Sequence, residues 1–159
     1  MKYLRKKDDI ALRLASMQAN IFARSSKEGI PSYFFIQQFM LSSDAKLIDD
    51  LLFLESGSSE LEIYLNIRNS TKRKKGKVYP EDISHWIGFF YRYASYLTGL
   101  NSKLLFKKVK PNTLYNLYPL YHSLDIEKAV AMVLETSHLD SQTPLDRFLN
   151  LYRTNKIVL

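Results

Sequence analysis

Between Pro80 and Gly99 apolar side chains recur at helical spacing on two adjacent stripes, and a helix covered so widely has to be buried. Pro80 suits the start of a helix, Glu81 and Asp82 complement the positive end of its dipole, and Gly99 offers a left-handed stop. Ile83, Ile87, Phe90, Ala94 and Leu97 form the first stripe, and Trp86, Phe89, Tyr93 and Tyr96 form the second. The strip left over carries His85, Gly88, Arg92 and Ser95. Gly88 and Ser95 are small enough to admit another backbone. Arg92, between them, is expected to be buried and to need a carboxylate or carbonyl partner, with Asp125 a candidate. The stretch Trp86–Asp125 that opens on this helix holds the only Trp, six of the eleven Tyr and three of the nine Phe, so the chain is expected to be organised around it.

The same period runs through most of the remaining sequence. Asp8 or Asp9 can start a first helix with Ile10, Leu14, Met17 and Ile21 on one face, ended by Gly29 and Pro31. Pro31–Leu41 reads as a second helix that buries Phe35, Ile36, Phe39 and Met40. Ser43 can cap a third, with Leu47, Ile48, Leu51, Leu52 and Leu54 inward, and Gly57 breaks it. Residues 59–69 fit two readings. Leu61, Ile63, Leu65 and Ile67 alternate as in a strand, whereas Ser59 with Glu62 makes a helical capping box. Helix is chosen because no second strand is visible to pair with it. Ser102 can cap a short helix to Val109, and residues 112–118 suit one or two helical turns. Tyr118–Asp125 reads as a loop into a helix with Ile126, Ala129, Val130, Val133 and Leu134 inward, and residues 144–153 suit a final helix. The expectation is an all-α, compact single-domain bundle of six to eight helices over residues 1–159, built around the central aromatic helix.

The net charge of +7 is concentrated in one place: Lys72, Arg73, Lys74, Lys75 and Lys77 fall in a basic loop at residues 71–78. Such a run is a solvated, mobile loop more often than a nucleic-acid contact, and this one has no aromatic residues interleaved for base stacking. The absence of Cys excludes a disulfide scaffold and a thiolate metal site. No apolar run is long enough to span a bilayer and no apolar h-region follows the charged first residues, so no membrane association is expected and the cytoplasm is the expected compartment.

Catalytic spacings are weak throughout. His85, His122 and His138 have no second ligand at the spacing that would put two on one helix face. Ser102 beside Lys103 lacks the Ser-x-x-Lys arrangement, and no phosphate-cradling glycine loop exists. Asp49 and Asp50 read as a solvated surface pair. Neither an enzyme nor a cofactor or metal is expected. Residues 94–109 can be laid on a degenerate helix-turn-helix, with Gly99 in the turn and Lys103, Lys107 and Lys108 offering phosphate contacts, but a short core helix with a basic outer face explains the same residues.

One set of motifs carries a resemblance. Trp86-Ile87-Gly88, Tyr91-Arg92-Tyr93, Ser102-Lys103 and Tyr121-His122-Ser123-Leu124-Asp125 resemble a family of small bacterial cytoplasmic proteins that read roughly WIGYIYRYW, SSK and YHSLD or YHTLD. The similarity covers about residues 30–135, most firmly 80–130; Ala94 replaces a common Trp and Asn101 a common Ser. Members are typically encoded beside an ADP-ribosyltransferase-like toxin and are regarded as antitoxins. The resemblance implies a non-enzymatic protein that binds and neutralises a co-encoded toxin, with Tyr121, His122, Asp125 and Arg92 as candidate partner contacts. The alternative is a DNA- or RNA-binding regulator, and DNA is a possible second partner through autoregulation.

Overall fold

The computed structural model describes residues 2–71 and 74–137, and among these there is helix and no strand. The elements are α1 (Lys2–Lys27), α2 (Ser32–Met40), α3 (Ser43–Asp49), the single turn α4 (Phe53–Ser56), α5 (Glu60–Thr71), α6 (Glu81–Thr98), α7 (Ser102–Lys108), α8 (Pro111–Tyr121) and α9 (Ile126–Ser137). The expected final helix at 144–153 lies outside the described residues, as do Lys72, Arg73 and His138.

The central helix is α6, as its periodicity requires. It packs along α1 more extensively than along any other helix, and α7, α8 and α9 close around it. Ile87, Phe90, Tyr91 and Ala94 enter one large core shared with Phe22, Phe35, Phe39, Ile63 and Leu134. The face against α1 is the strip of small residues and Arg92. A Cβ on Gly88 would stand 2.8 Å from the Gln18 carbonyl and 2.9 Å from the Ala19 Cα, so two backbones meet where the sequence left room. The aromatic second stripe is less buried than expected: Tyr93 is enclosed, Trp86 and Phe89 are half-buried, and Tyr96 is exposed.

Residues 59–69 are helical. Ile63, Tyr64, Ile67 and Thr71 point inward on one face of α5, Leu61 is exposed, and Ser59 accepts a hydrogen bond from the Glu62 amide at 3.1 Å. The strand-like alternation has no structural meaning.

Several expectations need correction. α1 begins at Lys2 rather than at Asp8 or Asp9. Ser42, not Ser43, caps α3 by accepting from the Ala45 amide, and α3 stops at Asp49. Its apolar face therefore ends at Ile48, and Leu51, Leu52 and Leu54 are exposed. The chain leaves α3 through Leu51, whose φ of 60° is the only positive value outside glycine among the described residues. α7 is capped by Asn101, which accepts from the Leu104 amide at 2.8 Å; Ser102 is needed elsewhere. α8 runs through Pro119 to Tyr121, so the expected loop at 118–125 shrinks to the turn after Tyr121. Pro119 removes only one N–H from the ladder, and the His122 amide still donates to the Tyr118 carbonyl at 3.0 Å.

Candidate functional site

The candidate residues fall into three groupings. The first grouping surrounds Arg92 in the middle of α6. Its guanidinium donates through Nε to Gln18 Oε1 at 2.9 Å, through Nη1 to Asp49 Oδ1 at 2.6 Å, and through Nη2 to Ser102 Oγ at 2.9 Å. Asp49 also accepts from the Ser102 hydroxyl at 2.7 Å and from the Ser102 amide at 3.0 Å. The Arg92 and Asp49 side chains are 5% and 9% exposed. One guanidinium thus ties α1, α3, α6 and the start of α7 together. Burial lowers the Arg92 pKa from its ordinary value, and the Asp49 charge opposes that.

This corrects the expectation that Arg92 pairs with Asp125 and that Asp49 is a solvated surface carboxylate. α3 ends where Asp49 must turn inward. A pocket of about 310 Å³ lies over the pair, walled by Ile10, Leu14, Ile48 and Leu51. The apolar period alone names neither Gln18 nor Asp49 as a partner of Arg92. Gln18 carried a usable signal: it interrupts the apolar face formed by Leu14 and Ile21, where a polar side chain needs a buried partner.

The second grouping is the α8–α9 connection. Tyr121 is half-buried and packs on the main core, whereas His122, Ser123 and Asp125 are exposed. The His122 ring stacks on Tyr118 with centroids 4.3 Å apart, and its Nδ1 lies 2.7 Å from the Tyr118 carbonyl. Tyr118 in turn packs edge-on against Trp86 and donates to Asp82 at 3.2 Å. His122 is therefore held in a fixed orientation at the surface by the aromatic face of α6. Asp125 begins α9 through its carbonyl, which accepts from the Ala129 amide at 2.9 Å.

The third grouping is basic. Lys103, Lys107 and Lys108 lie on the exposed side of α7, opposite the buried Ser102, Leu105 and Phe106. Lys74, Lys75 and Lys77 are also exposed. At its far end the basic loop meets α2: the Ser32 amide donates to the Lys77 carbonyl at 2.9 Å, and the Tyr79 amide donates to the Ser32 hydroxyl at 2.8 Å. Both polar groups of Ser32, at the start of α2, are used to fix the segment that follows the basic run.

Among the described residues, no group of three or more His, Asp or Glu is placed to hold a metal ion, and no helix is long and apolar enough to cross a membrane. Comparison with protein-family models, curated proteins and solved structures finds no match for this chain.

Proposed function

We propose that this chain is a non-enzymatic bacterial antitoxin that binds and neutralises a toxin encoded beside it, in the cytoplasm. The sequence support is the motif resemblance alone. The observation that carries the reading is how the motif residues divide. Gly88 is needed where α6 meets α1, Tyr91 donates from its buried hydroxyl to the Val109 carbonyl, and Arg92 and Ser102 form the buried polar network. Packing accounts for these four. It accounts less fully for His122, Ser123 and Asp125, whose side chains are exposed at the α8–α9 turn although His122 stacks on Tyr118 and the Asp125 carbonyl begins α9. Exposed polar residues of a motif, held on a rigid scaffold, are what a partner would contact. Tyr121 supplies an aromatic body beside them and His122 a fixed ring, which suits an interface anchor. Arg92 serves this surface only indirectly, by holding the scaffold.

The test is expression of the neighbouring gene alone and together with this one, followed by purification through a tag on either protein. The reading expects growth arrest by the neighbour alone, rescue on co-expression, and co-purification. A harmless neighbour, or a toxic one that is neither rescued nor bound, overturns it. The regulator reading is the second candidate, and the basic outer face of α7 is the observation that favours it.

A further inference from the structure

The basic segment after α5 lies beside aromatic rings that the sequence keeps far from it. Gly76 is laid against α2, where a Cβ would stand 3.3 Å from both Phe34 Cε2 and Pro31 Cβ. Lys74 Nζ lies 5.9 Å from the centre of the Phe34 ring, and Lys77 Nζ lies 3.9 Å from that of Tyr115. Lys110 continues the alternation, 4.4 Å above Phe106, whose ring meets the edge of Tyr33. Between these groups is a cleft of about 340 Å³ walled by Tyr33, Phe34, Lys77, Tyr115, Asn112 and Asn116. The two Asn are spaced four apart on α8 and share a face. The cleft adjoins a second hollow of about 590 Å³ that carries Arg68, Lys74 and Lys75 and shares Pro31 and Gly76 with it. Glu28 lines that hollow too, but it is paired with Arg24 and Arg68.

We infer that this surface binds single-stranded nucleic acid, with one unpaired base in the aromatic cleft and flanking phosphates on Lys74, Lys75 and Lys77. Each part of the ligand has its counterpart. The rings offer stacking surface to any base. The Asn112 and Asn116 amides each carry a donor and an acceptor, the complement a base edge needs. The lysines neutralise a backbone that runs from one hollow to the next. A duplex keeps its bases stacked inside, so the cleft selects an unpaired strand. Lys77 now covers the Tyr115 ring; an exposed cation–π contact is weaker than base stacking, so a base displaces the ammonium toward its own phosphate. The segment is pinned through Ser32, so this surface is formed before the ligand arrives.

The inference stands independently of the antitoxin reading. Its test is fluorescence anisotropy of the full chain with a labelled oligo-dT of about twelve nucleotides, an abasic strand of equal length and free dTMP. The abasic strand is expected to bind roughly 5- to 150-fold more weakly than oligo-dT. Lys74→Gln, Lys75→Gln and Lys77→Gln combined should flatten the slope of log affinity against log salt by about 2, three phosphates at about 0.7 each. Tyr115→Leu should bring oligo-dT toward the abasic affinity. Because Tyr115 also packs on Tyr79, the exposed pair Asn112→Ala with Asn116→Ala gives a second reading, a smaller ratio between the two strands in a chain of unchanged helicity. No binding of oligo-dT overturns the inference. So does equal binding of the abasic strand, which would leave only a polyanion surface, and so does dTMP competing at the concentrations at which oligo-dT binds, which would make the cleft a mononucleotide pocket.

Discussion

Replacing Arg92 with Ala should act on the stability of the fold rather than on any interface, because its side chain is buried. The change breaks three hydrogen bonds of 2.6–2.9 Å that connect α6 to α1, α3 and α7. It also leaves Asp49 largely enclosed without its cation, and the Gln18 side-chain Oε1 without its donor. Removing one partner of a buried ion pair costs about 3–5 kcal/mol. Two features place this site inside that range rather than above it: Asp49 keeps both donors from Ser102, and the Gln18 amide keeps the Gly88 carbonyl at 3.1 Å. About 4 kcal/mol corresponds to a fall in melting temperature of about 8–16 °C for a chain of this size. Arg92→Lys retains the charge but cannot reach Gln18, Asp49 and Ser102 together, so it should lose about 2 kcal/mol. Thermal and urea unfolding followed by far-UV circular dichroism measure both changes. An Arg92→Ala melting temperature within about 2 °C of the wild type would refute the network as the tie between these helices. A loss from Asp125→Ala equal to that from Asp49→Ala would restore the pairing that the structure replaces.

Other outcomes follow from the same contacts. Gly88→Ala should destabilise by about 1–3 kcal/mol despite the better helix propensity of Ala, because the added Cβ meets the α1 backbone rather than a side chain that can move; equilibrium unfolding checks it. Tyr91→Phe should cost about 1–3 kcal/mol in the same assay by stranding the buried Val109 carbonyl, whose partner is a phenol that burial pushes to a higher pKa and so keeps protonated. Lys74→Gln, Lys75→Gln and Lys77→Gln together should leave growth rescue in the co-expression assay unchanged, because the basic cleft and the α8–α9 turn are separate surfaces.

Much of the fold is legible because one physical rule dominates it. Ile87, Phe90 and Ala94 recur at helical spacing, and so do Phe35, Ile36, Phe39 and Met40, because each helix must bury one face. Gly88 is legible for a related reason: a residue without a side chain inside an otherwise bulky helix marks a close neighbour. The misread places are those where a polar bond overrides the apolar pattern. Leu51, Leu52 and Leu54 continue the period of α3, yet α3 stops at Asp49, which faces Arg92, and the chain turns out at Leu51. Ser102 has the composition of a cap, but its amide and hydroxyl both go to Asp49, and Asn101 takes the capping role. Sequence distance hides the rest. Asp49 and Arg92 are 43 residues apart, and nothing in either neighbourhood names the other. The rings of Tyr33, Phe34 and Tyr115 reach the basic segment only through the fold, so a search for aromatic residues within the run could not find them.

If the α8–α9 turn is the surface that grips the toxin, titration calorimetry of the purified pair reads it out. Wild-type protein should form a stoichiometric complex. Tyr121→Ala and His122→Ala should weaken it by at least about tenfold, a loss of about 1.4 kcal/mol each, while the helical signal and melting temperature of the His122 variant stay at wild-type values. Tight binding that survives both substitutions in folded protein would move the interface elsewhere on the molecule.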